Sequence, residues 1–194
     1  VGVFGPGGTG GELALQAVKR APGWELIQPL WSPNPIRRAW SAMALGALGP
    51  PAAAWAPEVT VLLADPNQQV QLTAAEALGR MGEAAAAQAG SVVPLLAGRN
   101  RQLQKAALAA LAGMGAEAAE AACDEVAKLL RDSDRSMRKA AVKTLGSMGA
   151  AAAPAAVEYL ADADPAARVA AARALGLMGP SAAWCAAEVA QLLR

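Results

Sequence analysis

Histidine is absent from all 194 residues, and with it go the usual general base near neutral pH and the commonest metal ligand. The chain is therefore expected to be non-catalytic, with no catalytic, metal-ligating or cofactor-binding residue and no cofactor. Aromatic residues make up only 4% of the chain, and β-branched residues are scarce outside a few Val and Thr, which speaks against sheets. A net charge of +1 supplies no overall field toward nucleic acid or an anionic membrane, so any basic surface must arise by local segregation. The two cysteines, Cys123 and Cys185, fall on separate helices in the pattern below and are expected to remain thiols. The longest uncharged stretch, residues 39–57, is interrupted by Gly46, Gly49, Pro50, Pro51 and Pro57. It reads as helix, turn and helix, and no membrane partner is expected. No basic-then-apolar leader opens the chain at Val1, and the compartment and the oligomeric state stay open.

What is present is alanine, which dominates a hydrophobic content of 55% and suits closely packed helices. One phrase recurs five times: Leu45-Gly46-Ala47-Leu48-Gly49, Leu78-Gly79-Arg80-Met81-Gly82, Leu111-Ala112-Gly113-Met114-Gly115, Leu145-Gly146-Ser147-Met148-Gly149 and Leu175-Gly176-Leu177-Met178-Gly179. The leading leucines stand 33, 33, 34 and 30 residues apart, a period typical of stacked helical repeats. Eleven residues before each leucine lies Asn34, Asn67, Asn100, Asp134 or Asp164, a side chain suited to cap the free N–H groups of a first helical turn. Pro35 and Pro165 follow at the first helical position, where a missing N–H costs nothing. Apolar or small residues then recur on one face, as in Val70, Ala74, Ala75 and Leu78. The glycine four places after each leucine suits a left-handed C-terminal position. Between that glycine and the next cap, a second helical segment of roughly a dozen residues is expected to end in Leu62-Leu63, Leu95-Leu96, Leu129-Leu130, Leu160 or Leu192-Leu193. Each repeat thus comprises an A helix, a turn and a capped B helix.

This pattern resembles HEAT repeats, in particular the short alanine-rich HEAT-like repeats of phycobilisome lyases, over residues 24–194. Asp132, Met137-Arg138, Ala140-Ala141 and Leu145-Gly146 follow the family's B-helix pattern, as do Asp162, Arg168, Ala171 and Leu175-Gly176. Gln71 and Gln104 replace the arginine, and Gly98 the aspartate, so an Asp–Arg ladder between repeats is expected to be incomplete. Ankyrin repeats are excluded by the missing histidine, and tetratricopeptide repeats by the missing aromatics. The resemblance implies an all-α, right-handed superhelical solenoid of about five to six helix pairs. Residues 1–23 read as a glycine-rich lead-in with an irregular first helix, and the array as part of a longer solenoid.

Gly5, Gly7 and Gly10 form a GxGxxG pattern between Val1-Gly2-Val3-Phe4 and a helical stretch from Glu12 to Arg20. In a dinucleotide fold such glycines let pyrophosphate approach the backbone, but no strands follow to complete a parallel sheet, and a glycine-rich lead-in is the preferred reading. Trp24, Trp31, Trp40 and Trp55 crowd the first third. They are expected to fill the core of an end repeat or its junction, with a partner-anchoring role as the alternative. Met81, Met114, Met148 and Met178 read as packing.

Charge separates by helix. The five B helices carry eleven basic side chains against Glu76 alone, whereas the A segments carry Glu58, Glu83, Glu117, Glu120, Asp124, Glu125, Glu158 and Glu188 with Lys128. In the family the B helices usually line the concave side, so the resemblance implies a basic inner groove with Arg101, Lys105, Arg135, Arg138, Lys139, Lys143, Arg168 and Arg173 as candidate partner contacts. Arg38, Arg138 and Arg168 also occupy the family's structural arginine position. The expected function is a protein-interaction scaffold for an acidic peptide or protein surface. A phycobilin lyase-like HEAT subunit and a nucleic-acid-binding HEAT-like protein are the alternatives, although the net charge disfavours nucleic acid.

Overall fold

Local chemistry accounts for the five B helices before any packing is considered. The computed structural model describes residues 23–185 and residue 190. The Gly5-Gly7-Gly10 pattern, the stretch 12–20, Glu188 and Leu192-Leu193 lie outside the described residues. In chain order the helices are α1 (Gly23–Ile27), α2 (Pro35–Leu48), α3 (Ala56–Val61), α4 (Gln68–Met81) and α5 (Ala89–Val92). They continue as α6 (Arg101–Met114), α7 (Ala119–Lys128), α8 (Arg135–Met148), α9 (Ala153–Val157) and α10 (Pro165–Met178). The even-numbered helices from α2 onward are the B helices, each 14 residues long. The Oδ1 atoms of Asn34, Asn67, Asn100, Asp134 and Asp164 accept the N–H two residues on at 2.7–2.9 Å, so all five expected caps form.

Each B helix ends at the expected glycine, in a conformation other than the expected left-handed helical one. Gly82 has φ 70° and ψ −149°, and the other four turn glycines adopt nearly the same pair. This region is open essentially to glycine alone, and it sends the chain straight into the next A segment.

The A segments are not the single helices the leucine-terminated runs suggest. Each of the four between α2 and α10 is a 3-10 turn, a short α-helical piece and a second 3-10 turn. Proline accounts for the shorter α-helical pieces, because it cannot donate to the carbonyl four residues back. Pro57, Pro94 and Pro154 lie within or beside the pieces α3, α5 and α9, which hold 6, 4 and 5 residues. The segment without proline contains α7, whose 10 residues make it the longest. The segment around α9 is also about a turn shorter, which produces the 30-residue step.

The B helices pack side by side, α2 on α4, α4 on α6, α6 on α8 and α8 on α10, with the A segments stacked in a second layer. Among the described residues there is no strand. Leu45, Leu78, Leu111 and Leu145 are fully buried between the layers, with Met81, Met114 and Met148 beside them, so the leucine and methionine positions form one continuous core. Residues 101–131 match a membrane span in length and apolarity, but they fold back at Gly115 as a helix pair, much of it buried in the stack.

Glycine sets how closely these layers approach. A Cβ on Gly79 would lie 2.7 Å from the Ala110 backbone, and one on Gly113 would lie 2.3 Å from the Gly79 carbonyl oxygen. The C-terminal ends of α4 and α6 therefore meet backbone to backbone. Farther along, the Thr144 hydroxyl donates to the Leu108 carbonyl at 3.0 Å and ties α8 to α6.

The expectation that tryptophan fills the core fails for Trp31 and Trp40, which are 64% and 43% exposed. Trp55 alone of the four is shown packing against the core, and the side chain of Trp24 lies outside the described set. Ile36, Trp40 and Met43 form an exposed stripe on α2. The matching positions of α10, Ala166, Ala170 and Arg173, turn toward α8. The α2 stripe is thus the flank that, in a later repeat, faces the preceding B helix.

A polar seam closes the turns. Asp65, Asp132 and Asp162 each accept the N–H two residues on at 2.8–2.9 Å. Asp65 is also gripped across repeats by Arg38, at 2.6 and 2.9 Å. Asp132 is bound by Arg101 at 2.5 Å, and Asp162 by Arg131. With Gly98 in the remaining place the ladder is incomplete as expected, but its arginines come from three different positions. Arg138 and Arg168 instead donate to the carbonyls of their own turns, Asp132 and Ser133 at 2.7 and 3.0 Å, and Asp162 and Ala163 at 2.8 and 3.2 Å. Gln71 and Gln104 do the same work from that position, on Asp65 O and on Leu96 O and Gly98 O.

Three outcomes are expected. Leu145→Ala should lower unfolding free energy by about 2–5 kcal/mol in thermal or denaturant melts, because the fully buried side chain leaves a cavity. Gly79→Ala should cost about 1–3 kcal/mol by forcing α4 and α6 apart, although alanine has the higher helix propensity. The hydrogen bonds from Arg38 hold the Asp65 carboxyl below its ordinary value, against the cost of burial. A depressed folded-state value stabilises above the unfolded carboxylate pKa, about 3.9, and that gain disappears as pH falls through the folded value. The melting-temperature gap between wild type and Asp65→Asn should therefore be widest near neutrality and close in acid.

Candidate functional site

Seven of the eleven B-helix cations lie on α6, α8 and α10 beyond Arg101. Helical spacing aligns Arg135, Lys139 and Val142 along one flank of α8, facing Ala166, Ala170 and Arg173 on α10. Between them opens a cavity of about 390 Å³, rimmed by Arg135, Arg138, Lys139 and Arg173 and floored by Val142 and Val169. A second groove of about 330 Å³ lies between α6 and α8, with Lys105, Lys143 and Ser147 above a floor that includes Ala109, Ala112 and Gly113. Among the described residues no carboxylate lines either space.

The eight sequence candidates divide by what their charges already do. Arg101 is committed to Asp132, and Arg138 and Arg168 to turn carbonyls, although Arg138 still borders the larger cavity. Lys105, Arg135, Lys139, Lys143 and Arg173 are exposed, and among the described residues none has a recorded hydrogen bond or ion pair. Lys105 and Arg101 also act at a distance on Asp134, whose carboxyl is held down first by the Ser136 N–H and hydroxyl and then by these two cations. Arg101 and Arg168 line neither space, so the structure brings six of the eight candidates together around two adjoining grooves.

Basic side chains are sparser in the other half of the layer, which carries Arg37, Arg38 and Arg80. The corresponding space between α4 and α6, about 140 Å³, is lined by Gln68, Gln69, Leu72, Asn100, Gln102 and Leu103, which carry no charge. At the far end, a hollow of about 330 Å³ is formed by Pro29, Ile36, Arg37 and Trp40.

Sequence reasoning missed two features. Arg131 closes the A segment, binds Asp162 and lies over the Tyr159 ring with its guanidinium carbon 5.2 Å from the centroid, so it belongs to the seam. Val169 lies in the groove at the position that Lys105 and Lys139 occupy in the two preceding B helices, and it is 51% exposed. The signal was an apolar residue following two lysines, Lys105 and Lys139, at one helix position. Among the described residues no group of three Cys, Asp or Glu is placed to hold a metal ion, and both cysteines are thiols, with burial pushing Cys123 up.

Comparison with known proteins identifies the architecture. No curated relative matches the sequence. Among solved structures, a designed armadillo repeat protein in complex with the peptide (KR)4 is 18% identical with a TM-score of 0.66, covering 88% of this chain and 87% of that one. The complex of CpcE and CpcF of phycocyanin lyase from Nostoc sp. is 20% identical with a TM-score of 0.59, covering 92% and 70%. The archaeal HEAT-like repeats protein from Thermococcus onnurineus is 13% identical with a TM-score of 0.55, covering 94% and 92%. At these identities the likeness establishes the fold, an all-α repeat solenoid. A family model for HEAT repeats matches residues 25–89 and 91–175, most of the chain and four of the five complete B helices plus the body of the fifth. With its capped helix pairs, continuous core and this match, the chain belongs to the HEAT-repeat family.

Proposed function

We propose that this chain is a non-catalytic docking scaffold that binds an acidic peptide or protein segment across α6, α8 and α10. The observation that carries the reading is the set of five exposed cations, Lys105, Arg135, Lys139, Lys143 and Arg173, on facing flanks of neighbouring helices with no acid among the lining residues. Stacked repeats present such residues at a regular step on a rigid layer, which suits an extended segment more than a small molecule. Burying no carboxylate of their own, these cations gain most from an occupant that brings carboxylates.

HEAT and armadillo repeats are scaffolds typical of protein-interaction modules. The designed armadillo protein is in complex with a peptide of Lys and Arg, and the face described here calls for the opposite charge. The acidic A layer points the same way, because it leaves only one side of the molecule suited to an anionic partner. Likeness to the CpcE–CpcF complex keeps a subunit-binding role in the same class of function, without a pigment site being needed for it.

The test is fluorescence anisotropy with labelled poly-glutamate at low and moderate salt. Wild-type chain should bind in a salt-sensitive way, and reversal of Arg135, Lys139 and Lys143 to Glu should weaken binding by roughly ten- to a hundredfold, given a few tenths to 1 kcal/mol per exposed charge pair. The three side chains are exposed, so the melting temperature should hold. Unchanged binding by the reversed protein would remove the groove, and tighter binding to duplex DNA than to poly-glutamate would favour a nucleic-acid partner instead.

A further inference from the structure

The two basic grooves differ in what lies beneath their charges. Between α6 and α8 the small residues Ala109, Ala112 and Gly113 accompany Leu108, whose side chain is already buried in the stack. Between α8 and α10 the floor is Val142, Val169, Pro165 and Ala170, and the space of about 390 Å³ is within the range that holds a small ligand. Val169 is half exposed, where the same register in α6 and α8 carries lysine. An exposed valine ringed by Arg135, Lys139 and Arg173 contributes nothing to the attraction of anions and little to the core. It gains burial only when another apolar group covers it.

We infer that the α8–α10 cavity is an anchor pocket for one bulky aliphatic or aromatic side chain of the acidic segment, flanked by carboxylates that reach Arg135, Lys139 and Arg173. This rests on the proposed function and names the recognition element within it. The anchor residue covers Val169, while the flanking chain runs on over the shallow α6–α8 groove and places carboxylates near Lys105 and Lys143. Charge sets attraction along the whole face, and the apolar pocket sets register, because only the α8–α10 groove presents a half-exposed aliphatic side chain, Val169, for a large side chain to cover. The uncharged groove between α4 and α6 marks where the acidic run ends.

The experiment uses the full chain and two labelled synthetic peptides, a run of glutamates with one central leucine and the same peptide with alanine in its place, followed by anisotropy. The leucine peptide should bind about tenfold more tightly, the worth of covering most of one aliphatic side chain. Val169→Asn, at an exposed position, should erase that preference and bring the two peptides to equal affinity, with an unaltered melting curve to confirm folding. Arg173→Glu should weaken both peptides alike. Equal affinities for the two peptides, or a leucine preference that survives Val169→Asn, would overturn the anchor pocket while leaving the basic scaffold standing. Absence of salt-sensitive binding by either peptide would overturn both.

Discussion

Backbone meeting backbone between successive B helices is the contact on which the rest of this molecule depends. A helix pair this short and this rich in alanine has too little apolar surface to stand alone, so each repeat is stable only against its neighbours. Alanine and glycine permit an approach that larger side chains would block: Gly46 meets the Ala77 backbone, and Gly79 meets that of Ala110. Close approach in turn encloses Leu45, Leu78, Leu111 and their methionine neighbours Met81 and Met114, all fully buried. The scarcity of aromatic residues is therefore a property of the core. It also explains why Trp31 and Trp40 are found outside it.

The same spacing governs the candidate site. At the C-terminal ends of α8 and α10, Leu177 packs onto Gly146, while toward the N-terminal ends the facing flanks hold open the cavity above Val142 and Val169. Arginine and lysine then serve two purposes. Those whose position lets them reach a turn, such as Arg38, Arg138 and Arg168, satisfy carbonyls and an aspartate that would otherwise face a half-buried seam unpaired. Arg135 at the first position of its helix, Lys105 and Lys139 at the fifth, and Lys143 and Arg173 at the ninth line the grooves instead. Replacement of arginine by Gln71 and Gln104 shows that the seam needs a long donor, not a positive charge.

Membership of the HEAT-repeat family agrees with this division of labour, since a repeat scaffold separates the residues that build the stack from those that vary along its face. Here the varying face runs from amide side chains between α4 and α6 to cations between α6 and α10, with one apolar interruption at Val169. A scaffold with this gradient has a built-in direction along which a segment can lie.

Much of the fold could be read from the residues because its determinants are local. Cap side chains at Asn34, Asn67, Asn100, Asp134 and Asp164 and a glycine at each helix end fixed the bounds of the B helices through contacts spanning a few residues. The segregation of charge by layer was legible for the same reason, since helical period assigns each residue a face. Where several local preferences competed, the reading was coarser: proline divided A segments whose leucine endings suggested single helices, and the turn glycines took an unexpected ψ. The partners of charged side chains were not legible, because Arg38 and Asp65 stand 27 residues apart and Arg131 and Asp162 stand 31 apart, and stacking geometry alone brings them together. By itself the sequence determined the repeat and its helix ends, both set by short-range hydrogen bonding and helical period. Only the tertiary structure decided which cations are spent on the seam and which remain over the grooves, because that depends on the distance between neighbouring helices.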